Sequence, residues 1–208
     1  MHRVANPVPL DHPTRTAVVV DRDDVVRTAV ASALDRLGFQ VIGQSADPAQ
    51  AGPLTRELRP DVVVLAIAPG AADVPVLAEV TADRIAPVVV LSDDAGNDHV
   101  AAVRDAGAHG LLPAFPSRVA LLPAIELAVA RFTEIARLTA EIDAATRRLE
   151  TRKLIDRAKG LLMTHRGLTE PEAFRWIQRT AMDRRKGSAA VAAQVIAEFD
   201  QSAVRTAS

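Results

Sequence analysis

The 208-residue sequence has no cysteine and no tyrosine, and one tryptophan with five phenylalanines brings its aromatic content to only 3%. Without Cys there is no disulfide, no thiol nucleophile and no Cys-ligated zinc, which fits a cytoplasmic protein. With so few rings, a core must be assembled from Val, Leu, Ile and Ala. No apolar run approaches the roughly 18 residues of a membrane span. The opening Met1-His2-Arg3-Val4-Ala5-Asn6-Pro7 lacks the apolar stretch of a signal peptide, so no membrane association is expected. No nucleophile–base pair or phosphate loop is present, and the five His are scattered. The sequence therefore predicts no catalytic residue, no enzyme, no metal and no cofactor.

What is present is unevenly spread. The net charge of −1 hides an acidic front, with 10 Lys/Arg against 16 Asp/Glu over residues 1–130. Residues 131–150 balance at 4 of each, whereas residues 151–187 hold 10 Lys/Arg against 4 Asp/Glu. A basic block of this kind points to a polyanion-binding module, and its plainer reading is a solvated Arg-rich helix face.

Residues 1–15, with three Pro, read as a loose tail. Strands and helices then alternate: strands at 16–20, 41–43, 62–66, 88–91 and 110–112; helices at 25–37, 48–59, 73–82 and 99–106. Gly38 and Gly107 close two of these helices. The apolar run Val62-Val63-Val64-Leu65-Ala66 shows no polar alternation, as expected of a strand covered on both faces. Five such units predict an α/β fold, a doubly wound five-stranded parallel sheet. Its ligand crevice lies at the C-terminal strand ends: Asp21, Ala66, Ser92 and the Pro113–Pro116 loop.

A helix then begins near Ser117. Ile135, Leu138, Ile142, Ala145 and Leu149 recur 3 and 4 apart, a coiled-coil seam flanked by charge. It pairs with a second chain or serves as an intramolecular spacer. The domain division read from these patterns is a tail at 1–15, an α/β domain at 16–122, a linker helix at 123–150 and a basic three-helix module at 151–200. The module's first helix, 151–165, has Leu154, Ala158, Leu161 and Leu162 as core positions. Thr169 and Glu172 form a capping box that opens the second helix, whose core face is Ala173, Ile177, Thr180 and Ala181. Ser188 opens the third, burying Val191, Ala192, Val195, Ile196 and Phe199. Residues from Gln201 on read as disordered. Met163 and Met182 are assigned to the core.

Two stretches resemble known families. The front resembles a response-regulator receiver domain. Residues 150–199 resemble an ANTAR domain, an RNA-binding antiterminator module, through Ala158-Lys159-Gly160-Leu161-Leu162-Met163, Glu172-Ala173-Phe174 and Ala181-Met182 at the family's spacing. Pro123 to Phe132 resembles the linker helix of actinobacterial receiver–ANTAR proteins. The resemblance implies transcription antitermination through binding of paired RNA hairpins in leader transcripts.

The receiver pattern is incomplete. Receiver chemistry uses acids after the first strand to hold Mg²⁺, an Asp ending the third to accept phosphoryl, a hydroxyl ending the fourth and a Lys ending the fifth. Here Asp21 and Ser92 stand at their positions, but Arg22 replaces the second acid, Ala66 stands at the phosphoacceptor position and Ala114 at the Lys position. This predicts a pseudo-receiver with no phosphoacceptor. Asp21, Asp23 and Asp24 read as a remnant acidic loop with Arg22 as local partner, or a weak divalent-ion site; Asp93-Asp94 reads as a solvated turn.

Candidate RNA-binding residues are Arg152, Lys153, Arg157, Lys159, Gly160, Arg175, Trp176, Arg179, Arg184 and Arg185, with Lys186 beside them. Lys159 and Arg179 lead this set. Cations supply phosphate contacts; Trp176 either stacks on a base or packs. Gly160, mid-helix at a cost of roughly 1 kcal/mol against Ala, suggests close approach by RNA or a neighbouring helix. The leading function is RNA binding with antitermination, as a homodimer through the linker helix. The alternatives are a protein–protein adaptor in which the receiver-like domain docks a signalling partner, and DNA binding by the basic helices.

Overall fold

The computed structural model describes residues 15–70 and 72–206, so the expected tail lies, except for Arg15, outside the described residues. The strands are β1 (Arg15–Val20), β2 (Phe39–Ser45), β3 (Val62–Ala66), β4 (Val88–Leu91) and β5 (Gly110–Leu112). They form one parallel sheet in the order β2-β1-β3-β4-β5. The helices between them are α1 (Asp24–Arg36), a 3₁₀ turn (Pro48–Gln50) continuing into α2 (Ala51–Leu58), α3 (Val74–Ala82) and α4 (Asn97–Asp105).

Period-2 geometry splits each strand between two cores. Ala17, Val19, Val62, Val64, Val89 and Leu91 face Val26, Val30 and Leu34 of α1, together with Leu121, Ile125 and Ala128. Val18, Val20, Val63, Leu65, Val88 and Val90 face Ala51, Leu77, Val80 and Val103 from α2, α3 and α4. Both faces being covered explains the uninterrupted Val runs. Asp23 caps α1, its Oδ1 accepting from the Val25 and Val26 amides at 2.8 and 3.2 Å. Gly43 lets β2 pass close to α2: a Cβ there would meet Leu58 Cδ1 at 2.6 Å.

The sequence divides residues 123–150 from 151–165, but the backbone does not: α5 is one helix, Arg118–Arg166, with Pro123 in its second turn. It is followed by α6 (Glu170–Asp183) and α7 (Ser188–Thr206). The helix continues past Gln201, where disorder is expected from sequence. The described chain forms two compact units, parting between Ala136 and Arg137. The second has its own core: Ala158, Leu162, Ala173, Ile177, Ala181, Val191, Ala192, Val195 and Ile196. The Thr169–Glu172 capping box forms as read from sequence. Three assignments are corrected. Leu154 is exposed and Ile155 packs in its place. Met163 and Met182 are also exposed, Met182 at 79%. A Cβ at Gly160 would meet nothing within 4 Å, so no neighbouring helix of this chain requires that glycine.

Candidate receiver pocket and nucleic-acid interface

A cavity of about 260 Å³ opens at the C-terminal edge of the sheet, walled by Asp21, Arg22 and Asp23 after β1, Ala66 to Pro69 at and after β3, and Leu91, Asp93, Ala114 and Phe115. This is the crevice position for an open parallel sheet. Asp21 is buried, 6% exposed, and its Oδ1 accepts from the Asp23 amide at 2.8 Å. Burial pushes its carboxyl above the ordinary carboxylate range. Ala66 presents only a methyl group to the cavity. Ser92 is buried but is not part of the wall; its Oγ accepts from the Asp94 amide at 3.3 Å.

Arg22 is not the partner of the acidic loop that the sequence suggests. Its guanidinium crosses to Asp73, donating to both carboxylate oxygens at 2.7 and 2.8 Å. Asp73 Oδ2 also accepts from the Ala68 amide at 2.8 Å, so one carboxylate ties the loop after β3 to the loop after β1. Asp24 instead pairs with Arg27, which also donates to the Asp21 carbonyl. Asp93 and Asp94 are braces rather than a solvated turn: Asp93 Oδ1 accepts from Ala114 N at 3.1 Å, and Asp94 accepts from Gly96 N and Gly70 N. Sequence reading missed Asp73, because a carboxylate just before a helix reads as a cap and its partner lies 51 residues away.

The Arg22 guanidinium holds the Asp73 carboxyl below its ordinary pKa. A depressed carboxylate stabilises the fold above its unfolded pKa of about 4, and that contribution is lost as pH falls through the folded value. The Arg22 side chain is 54% exposed, so Asp73→Ala is expected to cost about 1–2 kcal/mol at pH 7. Urea titrations at pH 7 and pH 3 check this: the gap from wild type should narrow at the lower pH.

The basic block divides by partner. Arg157 is bound to Asp200 at 3.1 Å. Arg152 lies 3.9 Å from Asp156. Lys159 is held between Asp156 at 2.8 Å and Glu170 at 2.7 Å, its side chain only 15% exposed. It thus bridges α5 to the first turn of α6. Lys153 and Gly160 are exposed on α5. Arg184 donates to Gln194 at 3.2 Å, and Arg185 closes α6 in the left-handed region at φ 50°.

On α6 the candidates converge. A surface cleft of about 460 Å³ is lined by Leu168, Glu172, Arg175, Trp176, Arg179, Thr180 and Asp183. Arg175 spends its Nε on the Pro171 carbonyl at 3.2 Å, and Arg179 is exposed. Trp176 is half-buried; the Arg166 guanidinium lies 4.9 Å over its ring and 5.8 Å from Phe199, on which His165 stacks at 4.6 Å. Trp176 thus both packs and faces the cleft. The structure brings together Arg175, Trp176 and Arg179, leaves Arg157 and Lys159 bound to carboxylates, and keeps Arg152 exposed at 3.9 Å from Asp156. Sequence spacing cannot reveal the Arg157–Asp200 and Lys159–Glu170 pairs, which lie outside the local helical turn, whereas Asp156 stands i+4 from Arg152 and i−3 from Lys159 on the same helix.

Residues 143–196 match the ANTAR domain family. Over 183 residues the chain is 42% identical to the transcriptional regulatory protein PdtaR of Mycobacterium tuberculosis, strains H37Rv and CDC 1551, covering 88% of this chain and 89% of the relative. Among solved structures, the receiver domain of the putative response regulator NarL from Mycobacterium tuberculosis superposes with a TM-score of 0.52 at 26% identity, covering 57% of this chain and 98% of that one. A two-component response regulator of the LuxR family from Aurantimonas sp. gives 0.51 at 26%, covering 64% and 99%. A receiver-type α/β domain followed by an ANTAR module is the architecture of one regulator class, and this chain belongs to the family of ANTAR-domain response regulators.

Proposed function

We propose that this protein is a cytoplasmic RNA-binding antitermination regulator whose receiver-like domain, residues 16–122, works without phosphorylation. The linker helix is 123–150 and the RNA-binding module 151–200. The module grips paired hairpins in a leader transcript, and the chain catalyses no reaction of its own. The observation that carries this reading is the α6 cleft, where two guanidinium side chains flank the only indole of the chain. That pairing suits phosphates and unstacked loop bases, the two things hairpin loops offer.

Phosphate independence rests on three residues. The Ala66 methyl cannot become a phosphoester, Ala114 supplies no ammonium, and Arg22 brings a cation bound to Asp73 where a metal ligand would be needed. Dimerisation rests on α5, where Ile135, Leu138, Ile142 and Leu149 are 42%, 44%, 66% and 61% exposed at heptad spacing.

Incubation with acetyl phosphate and Mg²⁺, read by intact-protein mass spectrometry, is expected to give no phosphoryl adduct. A stoichiometric adduct that disappears when one Asp is replaced would overturn the phosphate-independent reading.

A further inference from the structure

We propose that the α6 cleft is a pocket for one unpaired RNA base bearing an exocyclic amino group, stacked on Trp176 and read by the Asp183 carboxylate. This rests on the RNA-binding reading above and adds which bases the site accepts.

Asp183 is the last residue of α6. A helix C-terminus carries partial negative charge, so a carboxylate there is disfavoured. Among the described residues the Asp183 carboxylate makes no hydrogen bond or ion pair. The side chain is tied down by nothing in its own fold, yet it faces the same cleft as Arg175 and Arg179. An uncompensated acid inside a polyanion-binding surface repels phosphate. What it accepts is an N–H donor. Along α6 the cleft runs from Glu172, whose Oε2 accepts from the Thr169 amide and hydroxyl, through Arg175 and Arg179 to Asp183, so the carboxylate without a partner stands at the Arg179 and Thr180 end.

The stacking surface is prepared on one side. Arg166 lies over the Trp176 ring, 4.9 Å from its centroid, and does not line the cleft. A cation on one face steadies the ring and leaves the exposed part to a base, for which stacking on an aromatic is sequence-tolerant. Discrimination then falls to Asp183. Adenine, cytosine and guanine present an amino group to it; uracil presents carbonyl oxygens on either side of its single N–H, which the carboxylate repels. The pocket accepts the first three and rejects uracil.

Trp176 is the only tryptophan, so its fluorescence reports this site alone. The experiment uses the full chain and paired-hairpin RNAs with six-base loops made entirely of A, C or U. The A- and C-loop RNAs should bind about tenfold more tightly than the U-loop RNA and quench Trp176. Asp183→Ala should fold as wild type does, because the substitution removes no hydrogen bond or ion pair among the described residues. It should bring all three RNAs within about twofold of one another while U-loop affinity holds or rises. Equal wild-type affinity for A and U loops, binding without quenching, or an Asp183→Ala gain shared equally by all three would overturn the base pocket while leaving RNA binding standing. Failure of wild type to bind any of the hairpins would overturn the RNA reading, and the pocket with it.

Discussion

Arg179→Glu should weaken binding to paired hairpin RNA by about a hundredfold or more, with the melting temperature unchanged. Arg179 is exposed, lines the α6 cleft and has no carboxylate partner among the described residues, so charge reversal removes a phosphate contact and adds a repulsion without touching the core. Lys159→Glu makes the informative contrast. Sequence reading ranks it beside Arg179, but its ammonium already neutralises Asp156 and Glu170, and the lysine holds the Asp156 carboxyl below its ordinary range. A third carboxylate there should lower the melting temperature by loosening α6 from α5. Filter binding with thermal melts of both variants checks the pair. Wild-type affinity in Arg179→Glu would remove α6 as the RNA face.

Ile177→Ala should cost about 2–5 kcal/mol of the second unit's stability. Four of the nine buried residues in that unit are Ala, so its apolar bulk comes from Leu162, Ile177, Val191, Val195 and Ile196. Ile177 is fully buried. A core this small has little surplus over chain entropy, so losing one large side chain unfolds α6 and α7 at temperatures where the sheet persists. Thermal circular dichroism should show helix lost at a lower temperature than in wild type, and hairpin binding should vanish with that transition. A single transition shifted by only a few degrees would mean that the two units melt together.

Much of the fold was legible because apolar patterning and backbone chemistry are local. The β-branched runs marked β1, β3 and β4, Gly38 and Gly107 marked helix ends, and Thr169-x-x-Glu172 marked the start of α6. The seam between linker and module was not legible, because nothing from Ala124 to Lys159 breaks a helix and domain boundaries inside one helix leave no trace in propensity. At the site, Ala66 and Ala114 could be read directly, since an absent functional group is visible in sequence. Which cations are free could not, because the answer depends on carboxylates such as Asp73, Asp200 and Glu170 that the fold, not spacing, brings near. Met182 was misassigned for a related reason: an apolar residue at helical spacing reads as core unless the third face of the helix is known to be open.

On the proposed reading, an α6-centred surface selects hairpin RNA with no phosphoryl signal from the receiver-like domain. Its most direct test is the affinity of the purified chain, without any phosphodonor, for paired six-base-loop hairpin RNA and for double-stranded DNA of equal charge across a salt series. Selective hairpin binding that survives at salt concentrations where the DNA has dissociated is the expected result. Equal, steeply salt-dependent binding to both, or no binding until a phosphodonor is added, would contradict it.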